Sequence, residues 1–201
     1  MAGRPPAGLL LAAGAGRRMG RPKALVTLGG QPLVRRALRV LDDGGCAPLL
    51  VVLGAAADEV RGLLPAGVQP VPAPDWAEGM GASLRAGLDA VAAIDPAPDA
   101  VLVHLVDLPG VTADAVARLA ARSGPDALVR AAYDGRPAHP VLIGRAHWPG
   151  VRASAAGDAG ARGYLAGHPA LELLECGDVS TPDDVDTQEH LSRWAGNTVE
   201  P

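Results

Sequence analysis

Short apolar runs alternate with amphipathic stretches along the whole chain. Residues 9–13 are an apolar run of strand length that breaks into glycine-punctuated sequence. Residues 25–33 read as a short extended piece, a Gly29-Gly30 turn and a helix start. Val34, Ala37, Leu38 and Leu41 then recur at i, i+3, i+4 and i+7, the buried stripe of a helix that Gly44-Gly45 ends. Arg35, Arg36 and Arg39 fall on its solvated face. Residues 48–53 are a second strand, 58–64 a short helix with an acidic first turn stopped by Pro65, and 68–71 a third strand. The spacing of Leu84, Leu88 and Val91 predicts a helix over 83–93. Residues 100–106 are almost continuously apolar, as in a central strand buried on both faces. Thr112 is placed to cap a helix that buries Val116 and Leu119. Two strands, 127–132 and 139–143, flank a turn at Asp134-Gly135-Arg136-Pro137. Asp158 reads as the cap of a helix through Leu165, 171–174 as a last strand, and Asp186 or Thr187 as the cap of a C-terminal helix carrying Leu191 and Trp194.

This β-α alternation predicts a three-layer, Rossmann-like α/β fold with a mostly parallel, mixed central sheet. With no repeat and no low-complexity linker, residues 1–195 read as a single domain and 196–201 as a loose tail. In open sheets of this kind, ligands sit beyond the carboxyl ends of the strands. The loop after residue 13 and the loop after residue 106 both fall on that edge.

Composition narrows the class. The chain has 201 residues, enough for a sizeable core; it lacks Phe, so Leu, Val and Ala must fill that core. A formal net charge of −4 argues against a general nucleic-acid binder and makes the local basic cluster at 17–23 conspicuous. Cys46 and Cys176 form no metal or redox spacing and read as reduced thiols. No apolar run is long enough for a signal peptide or a membrane span, so the expected compartment is the cytoplasm.

The candidate chemistry begins where the first strand ends. Gly14, Gly16 and Gly20 let backbone N–H groups face an anion closely, and Arg17, Arg18, Arg21 and Lys23 add charge where a polyphosphate would lie. A Walker A loop is excluded, because Arg21-Pro22 separate Gly20 from Lys23 and Ala24 follows it. A dinucleotide fingerprint is excluded by Met19 in a glycine slot and by Pro22. Asp107, at the end of the apolar run 100–106, would point into the same crevice, either as a ligand for a hard cation such as Mg²⁺ or as the cap of the Pro109-Gly110 turn.

The string from Leu11 to Lys23, L-A-A-G-x-G-x-R-M-G-x-P-K, resembles the signature of the sugar-phosphate and cofactor nucleotidyltransferases, and within them the MobA-like molybdenum cofactor cytidylyltransferases. That resemblance implies nucleotide binding by Leu11, Ala12, Ala13, Gly14, Gly16, Arg18 and Lys23, with Lys23, Arg18 and Asp107 catalytic. Gly79, Gly81 and Ser83 lie in a segment similar to the family's G-M-x-x-S-L loop for base and ribose; on their own they read as a capped helix start. The family's Asp-x-Pro holds Mg²⁺, which implies Asp107 as one ligand. Asp186, in a stretch similar to D-x-D-T-P-E-D, is the second; Asp184 is its neighbour and Asp178 a competitor in another register.

Arg136 and His139, in a string similar to G-R-x-G-H-P-V-L, and Asp158 and Arg162, in G-D-x-G-A-R, would bind the acceptor. His139 reads equally well as a structural hydrogen-bonder. Ala138 replaces the family's usual glycine. Ala12-Ala13-Gly14 matches the cytidylyltransferases, whereas guanylyltransferase relatives carry Ala-Gly-Gly, so CTP is the implied nucleotide. The implied reaction is transfer of CMP from CTP to the terminal phosphate of Mo-molybdopterin, with Mg²⁺ as cofactor and a molybdenum hydroxylase or its chaperone as a downstream partner. The alternatives are a guanylyl- or sugar-phosphate nucleotidyltransferase, and a non-catalytic carrier of the cofactor.

Overall fold

A computed structural model describes residues 4–197, with side chains described as far as Trp194. The chain starts as β1 (Ala7–Leu11), passes a 3-10 turn at Lys23–Leu25 and a small hairpin of β2 (Thr27–Leu28) and β3 (Gln31–Pro32), and enters α1 (Leu33–Asp43). Then come β4 (Leu49–Leu53), α2 (Ala57–Arg61), β5 (Gln69–Pro72), α3 (Met80–Ala92), β6 (Ala100–Leu105) and α4 (Ala113–Ala120). β7 (Leu128–Tyr133) and β8 (Arg136–Gly144) pair as a hairpin. α5 (Trp148–Ser154), α6 (Arg162–Leu165), β9 (Glu172–Glu175) and α7 (Gln188–Asn197) follow.

Seven strands form one sheet in the order β5-β4-β1-β6-β8-β7-β9. All run parallel except β8, which is antiparallel to both β6 and β7. The apolar runs are continuous because both faces of the sheet are covered. Leu10, Val51 and Leu102 point to one core, against Leu38 and Leu41 of α1 and Val116 and Leu119 of α4. Leu9, Val52 and Val103 alternate into a second core, against Leu84, Leu88 and Val91 of α3 and Val151 of α5. The result is three layers with a mostly parallel, mixed sheet.

Several boundaries differ from the sequence pattern. Gly79, at φ +117°, breaks a 3-10 turn at Trp76–Glu78 and lets α3 begin at Met80. Ser83 is therefore inside the helix and buried, without capping it. Arg136 and Pro137 belong to β8, because the turn is closed by Asp134 and Gly135 alone. Asp158 lies within a 3-10 turn at Gly157–Ala159 and caps no helix. α5 has no counterpart in the sequence reading: Pro149 and Gly150 look like breakers, but Pro149 occupies the first turn, where a missing N–H costs nothing. Thr187, rather than Asp186, caps α7 by accepting from His190 N at 3.2 Å. That helix runs to Asn197, past the point where the tail was expected to loosen; Thr198 to Pro201 lie outside the described residues. Arg36 is half-buried rather than solvated, and its Nη2 donates to the Pro109 carbonyl at 3.4 Å.

Candidate active site

The carboxyl ends of β1 and β6 are neighbours, and the strand order reverses between them: β1 leads on to β4 on one side and β6 to β7 on the other. Such a point leaves a crevice that side helices do not fill. Val106 N donates to Leu11 O at 3.2 Å and Ala12 N to Val52 O at 3.1 Å, so the two loops start in register.

The first loop is held from inside. Met19 is buried at its apex, and Met19 N donates to Gly16 O at 2.9 Å. Gly16 has φ +60°, and a Cβ there would lie 2.0 Å from the Arg21 carbonyl oxygen, so no larger residue closes this turn. Arg17 and Arg18 project into the cleft, Arg18 with its side chain 80% exposed. Arg21 instead turns outward and does not line the cleft.

Lys23 Nζ donates to Asp107 Oδ2 at 2.7 Å and to Asp186 Oδ1. Arg18 Nη1 reaches the other oxygen of Asp186 at 3.4 Å. Three distant stretches are thus joined at one ammonium group. The third arrives because residues 181–185 lay down along the loop after β6: Thr181 N donates to Gly110 O at 3.1 Å, Val185 N to Asp107 O at 2.9 Å, and Val185 itself is buried.

Burial alone would lower the Lys23 pKa, but Asp107 and Asp186 outweigh it and hold it above its ordinary value. Lys23's hydrogen bond and charge, helped by Arg18, hold the Asp186 carboxyl below its usual range. Burial, with Asp186 and Asp107 nearby, pushes Asp184 up. Asp178 is elsewhere, in a two-pronged ion pair with Arg118 at 2.6 and 2.5 Å. Of the three carboxylates left open by the sequence, Asp186 is the one in contact with Lys23.

The cleft in front of these groups has a volume of about 530 Å³. Leu11, Ala13, Gly14, Gly16, Arg18 and Lys23 line one side, and Gly79, Ser83, Asp107, Asp158 and Asp186 the rest. Ala12 does not line it: alternation turns its side chain into the core under α1. Gly81 does not line it either; it is buried against residues 155–156, where a Cβ would lie 2.7 Å from Ala156 N. The sequence reading singled out neither Trp76 nor Met80, although Met80 is the methionine of the G-M-x-x-S-L string; the two form much of the wall opposite the cradle. Their signal was a large apolar pair in an otherwise polar, glycine-bearing segment.

Beside the cleft, and sharing Leu11, Met80, Leu105 and Asp158 with it, is a smaller chamber of about 120 Å³. His139 and Arg162 line it. Arg136 does not; it sits exposed beside the β7–β8 turn, whose N–H groups at Asp134 and Gly135 are held by Glu175. Burial, and then the charge of Arg130, pushes the His139 pKa down to about 4, so the ring is neutral at pH 7.

Oxygens from Asp107 and Asp186 both reach a single atom, Lys23 Nζ. These are hard donors from two carboxylates, open to a cleft of polyphosphate size. That set fits a magnesium-like cation that completes its shell with phosphate oxygens and water. Among the described residues no cluster of three or more His, Cys, Asp or Glu side chains could cage a metal by itself. No helix among them is long and apolar enough to cross a membrane.

A mostly parallel sheet with a basic glycine loop after β1 and a carboxylate after β6 defines a nucleotidyltransferase-type α/β protein. Residues 8–173 match the MobA-like NTP transferase domain, and the chain belongs to that family. It is 41% identical over 198 residues to nicotine blue oxidoreductase of Paenarthrobacter nicotinovorans, covering 92% of this chain and 94% of that one. It is 36% identical over 144 residues to molybdenum cofactor guanylyltransferase of Rhodobacter capsulatus, covering 71% of this chain and 65% of that one. Among solved structures, the Rv0371c homolog from Mycobacterium sp. strain JC1 superposes with a TM-score of 0.83 at 30% identity, covering 96% of each chain. Rv0371c of Mycobacterium tuberculosis in complex with manganese superposes with a TM-score of 0.78 at 25% identity, covering 96% of this chain and all of that one.

Proposed function

We propose that this protein transfers CMP from CTP to the terminal phosphate of Mo-molybdopterin, giving the cytosine dinucleotide form of the cofactor and pyrophosphate. The observation that carries the reading is the junction of Lys23, Asp107 and Asp186 at the mouth of the β1 loop. The backbone around Gly14 and Gly16, with Arg18 and Lys23, holds the triphosphate. An acceptor phosphate oxygen attacks the α-phosphorus, the bond from that phosphorus to the β-phosphate oxygen breaks, and pyrophosphate carries the charge away. No covalent enzyme intermediate is needed. Catalysis is in-line positioning plus neutralisation of charge on the transferring group.

Mg²⁺, held by Asp107 and Asp186, would supply further neutralisation of the triphosphate. The manganese complex of Rv0371c supports a divalent cation in this family. Ala13, Gly14 and the wall of Trp76, Met80 and Ser83 are assigned to the base and ribose, and His139, Asp158 and Arg162 to the acceptor.

A second reading has one specific observation in its favour: the 41% identity, across nearly the whole chain, to an enzyme named for oxidation–reduction of nicotine blue. One pair of assays separates the two. Pyrophosphate release from CTP, with Mg²⁺ and a molybdopterin acceptor, is expected and is to be lost in Asp107→Asn. Bleaching of nicotine blue with a reduced nicotinamide dinucleotide, together with no pyrophosphate release, would replace transfer by oxidoreduction.

A further inference from the structure

We propose that the small chamber beside the cleft is an anion subsite for a phosphomonoester acceptor, with Arg130 and Arg162 as its cations and Arg130 as the specificity-determining residue. This deepens the nucleotidyl-transfer reading and rests on it for the word acceptor. Arg130 is a charged residue in the middle of an apolar strand, Leu128-Val129-Arg130-Ala131-Ala132, and is half-buried there. Its Nε donates to the Ala138 carbonyl at 3.0 Å, which fixes the plane of the guanidinium while leaving its other N–H groups without an acceptor among the described residues. Arg162 lies across the same chamber and makes no ion pair among the described residues.

Neither has a carboxylate partner among the described residues; Arg162 is exposed, whereas Arg130 is half-buried and gives up hydration with no compensating charge. Burial, and then the charge of Arg162, lower the Arg130 pKa. Asp158 also borders the chamber, but it is exposed, stands over Gly79 and pairs with neither arginine.

A dianion between the guanidiniums would supply that charge through charge-assisted, fork-shaped hydrogen bonds. His139 also lines the chamber, and burial keeps its ring neutral, so it adds a polar edge without a competing charge. The remaining wall is apolar, from Leu11, Val103 and Val141. A bare oxyanion would leave that wall bare, whereas a phosphomonoester would lay its carbon stem along it. The chamber opens to the cleft past Leu11 and Met80, so a phosphate held there is next to the nucleotide site.

The test uses phenyl phosphate, which carries a dianionic head on an apolar body, titrated into the full-length protein and followed by ³¹P line broadening. Arg130→Met and Arg162→Gln are expected to weaken binding tenfold or more, Arg130→Lys to recover part of it, and Lys23→Ala to stay within twofold of the parent. Circular dichroism checks that each variant is folded. Loss of phenyl phosphate binding in Lys23→Ala, with Arg130→Met and Arg162→Gln unchanged, would place the anion in the cradle and overturn the proposal. CTP titration of the same proteins keeps the two readings apart. If CTP binds nowhere while Arg130→Met still loses phenyl phosphate, the subsite stands and the nucleotide reading falls.

Discussion

Replacing Lys23 by alanine is expected to move two measurements in opposite directions. Without nucleotide, the Lys23 ammonium occupies the space between Asp107 and Asp186 that a cation would share with a polyphosphate. The three side chains are only 18–27% exposed, so water screens the contacts incompletely. A charge-assisted hydrogen bond in such a setting contributes about 1.5–3 kcal/mol. A divalent ion entering the nucleotide-free protein must displace at least one of them. Lys23→Ala removes that competition, so Mn²⁺ affinity without nucleotide should rise about 10- to 100-fold, taking 1.4 kcal/mol per factor of ten. Turnover should fall, because the transferring phosphoryl group loses a fixed positive donor. Removal of one such group typically costs about 3–4 kcal/mol, or roughly 100- to 1,000-fold. Mn²⁺ binding read by electron paramagnetic resonance and pyrophosphate release read by a coupled assay measure the two arms. Unchanged or weaker Mn²⁺ binding would refute the idea that lysine and cation compete for one carboxylate pair. Near-normal turnover would refute the cradle.

Three further outcomes follow from the geometry. Asp186→Asn should lower turnover about 100-fold, whereas Asp178→Asn, which alters only the surface pair with Arg118, should leave both turnover and thermal midpoint at parental values; equal losses in both would mean the carboxylate assignment is wrong. Gly81→Ala puts a Cβ 2.7 Å from Ala156 N and 2.9 Å from Ala155 C, both backbone. The clash should cost about 1–3 kcal/mol and lower the melting temperature by several degrees in a scanning calorimeter, and an unchanged midpoint would contradict the close packing of α3 on residues 155–156. His104 and His139 are pushed by burial to about 3 and about 4. Their unfolded counterparts take up a proton near pH 6.5, so between pH 6.5 and 4 the unfolded state binds more protons and stability falls as pH falls, by up to about 1.4 kcal/mol per pH unit for each ring. Urea midpoints at pH 7 and pH 5 measure this, and equal values would mean that the rings are not held neutral.

Local pattern and tertiary arrangement contributed differently here. The stripe Val34, Ala37, Leu38 and Leu41 predicts α1, and each of those residues is buried there. The nearly continuous apolar run at 100–106 predicts a strand covered on both faces, and β6 is the strand between β1 and β8. Both signals are strong because burial of a regular element writes its own period into the chain. Local chemistry was harder to read where a breaker sits at a tolerated position. Pro149 hid α5, and Gly79 and Gly81 hid the first turn of α3, because a proline or glycine reports a backbone conformation without saying on which side of it the helix lies.

The sequence by itself determined the layered α/β class and the basic glycine loop, since periodicity, turn residues and charge spacing are local properties. Its resemblance to the family's D-x-D-T-P-E-D stretch narrowed the acidic partner to three carboxylates in the last quarter of the chain. Only the tertiary structure decided among them. Asp186 meets Lys23 because residues 181–185 run along the loop after β6, while Asp178 is carried away to Arg118. It likewise separated Arg136, which is exposed, from His139 three residues later in the chamber, and brought in Arg130 from a neighbouring strand. The reason is the same in each case. Which side chains share a space depends on sheet order and on loops docking across long stretches of chain, here 84 residues between Lys23 and Asp107 and 163 between Lys23 and Asp186, and no local pattern records contacts at that separation.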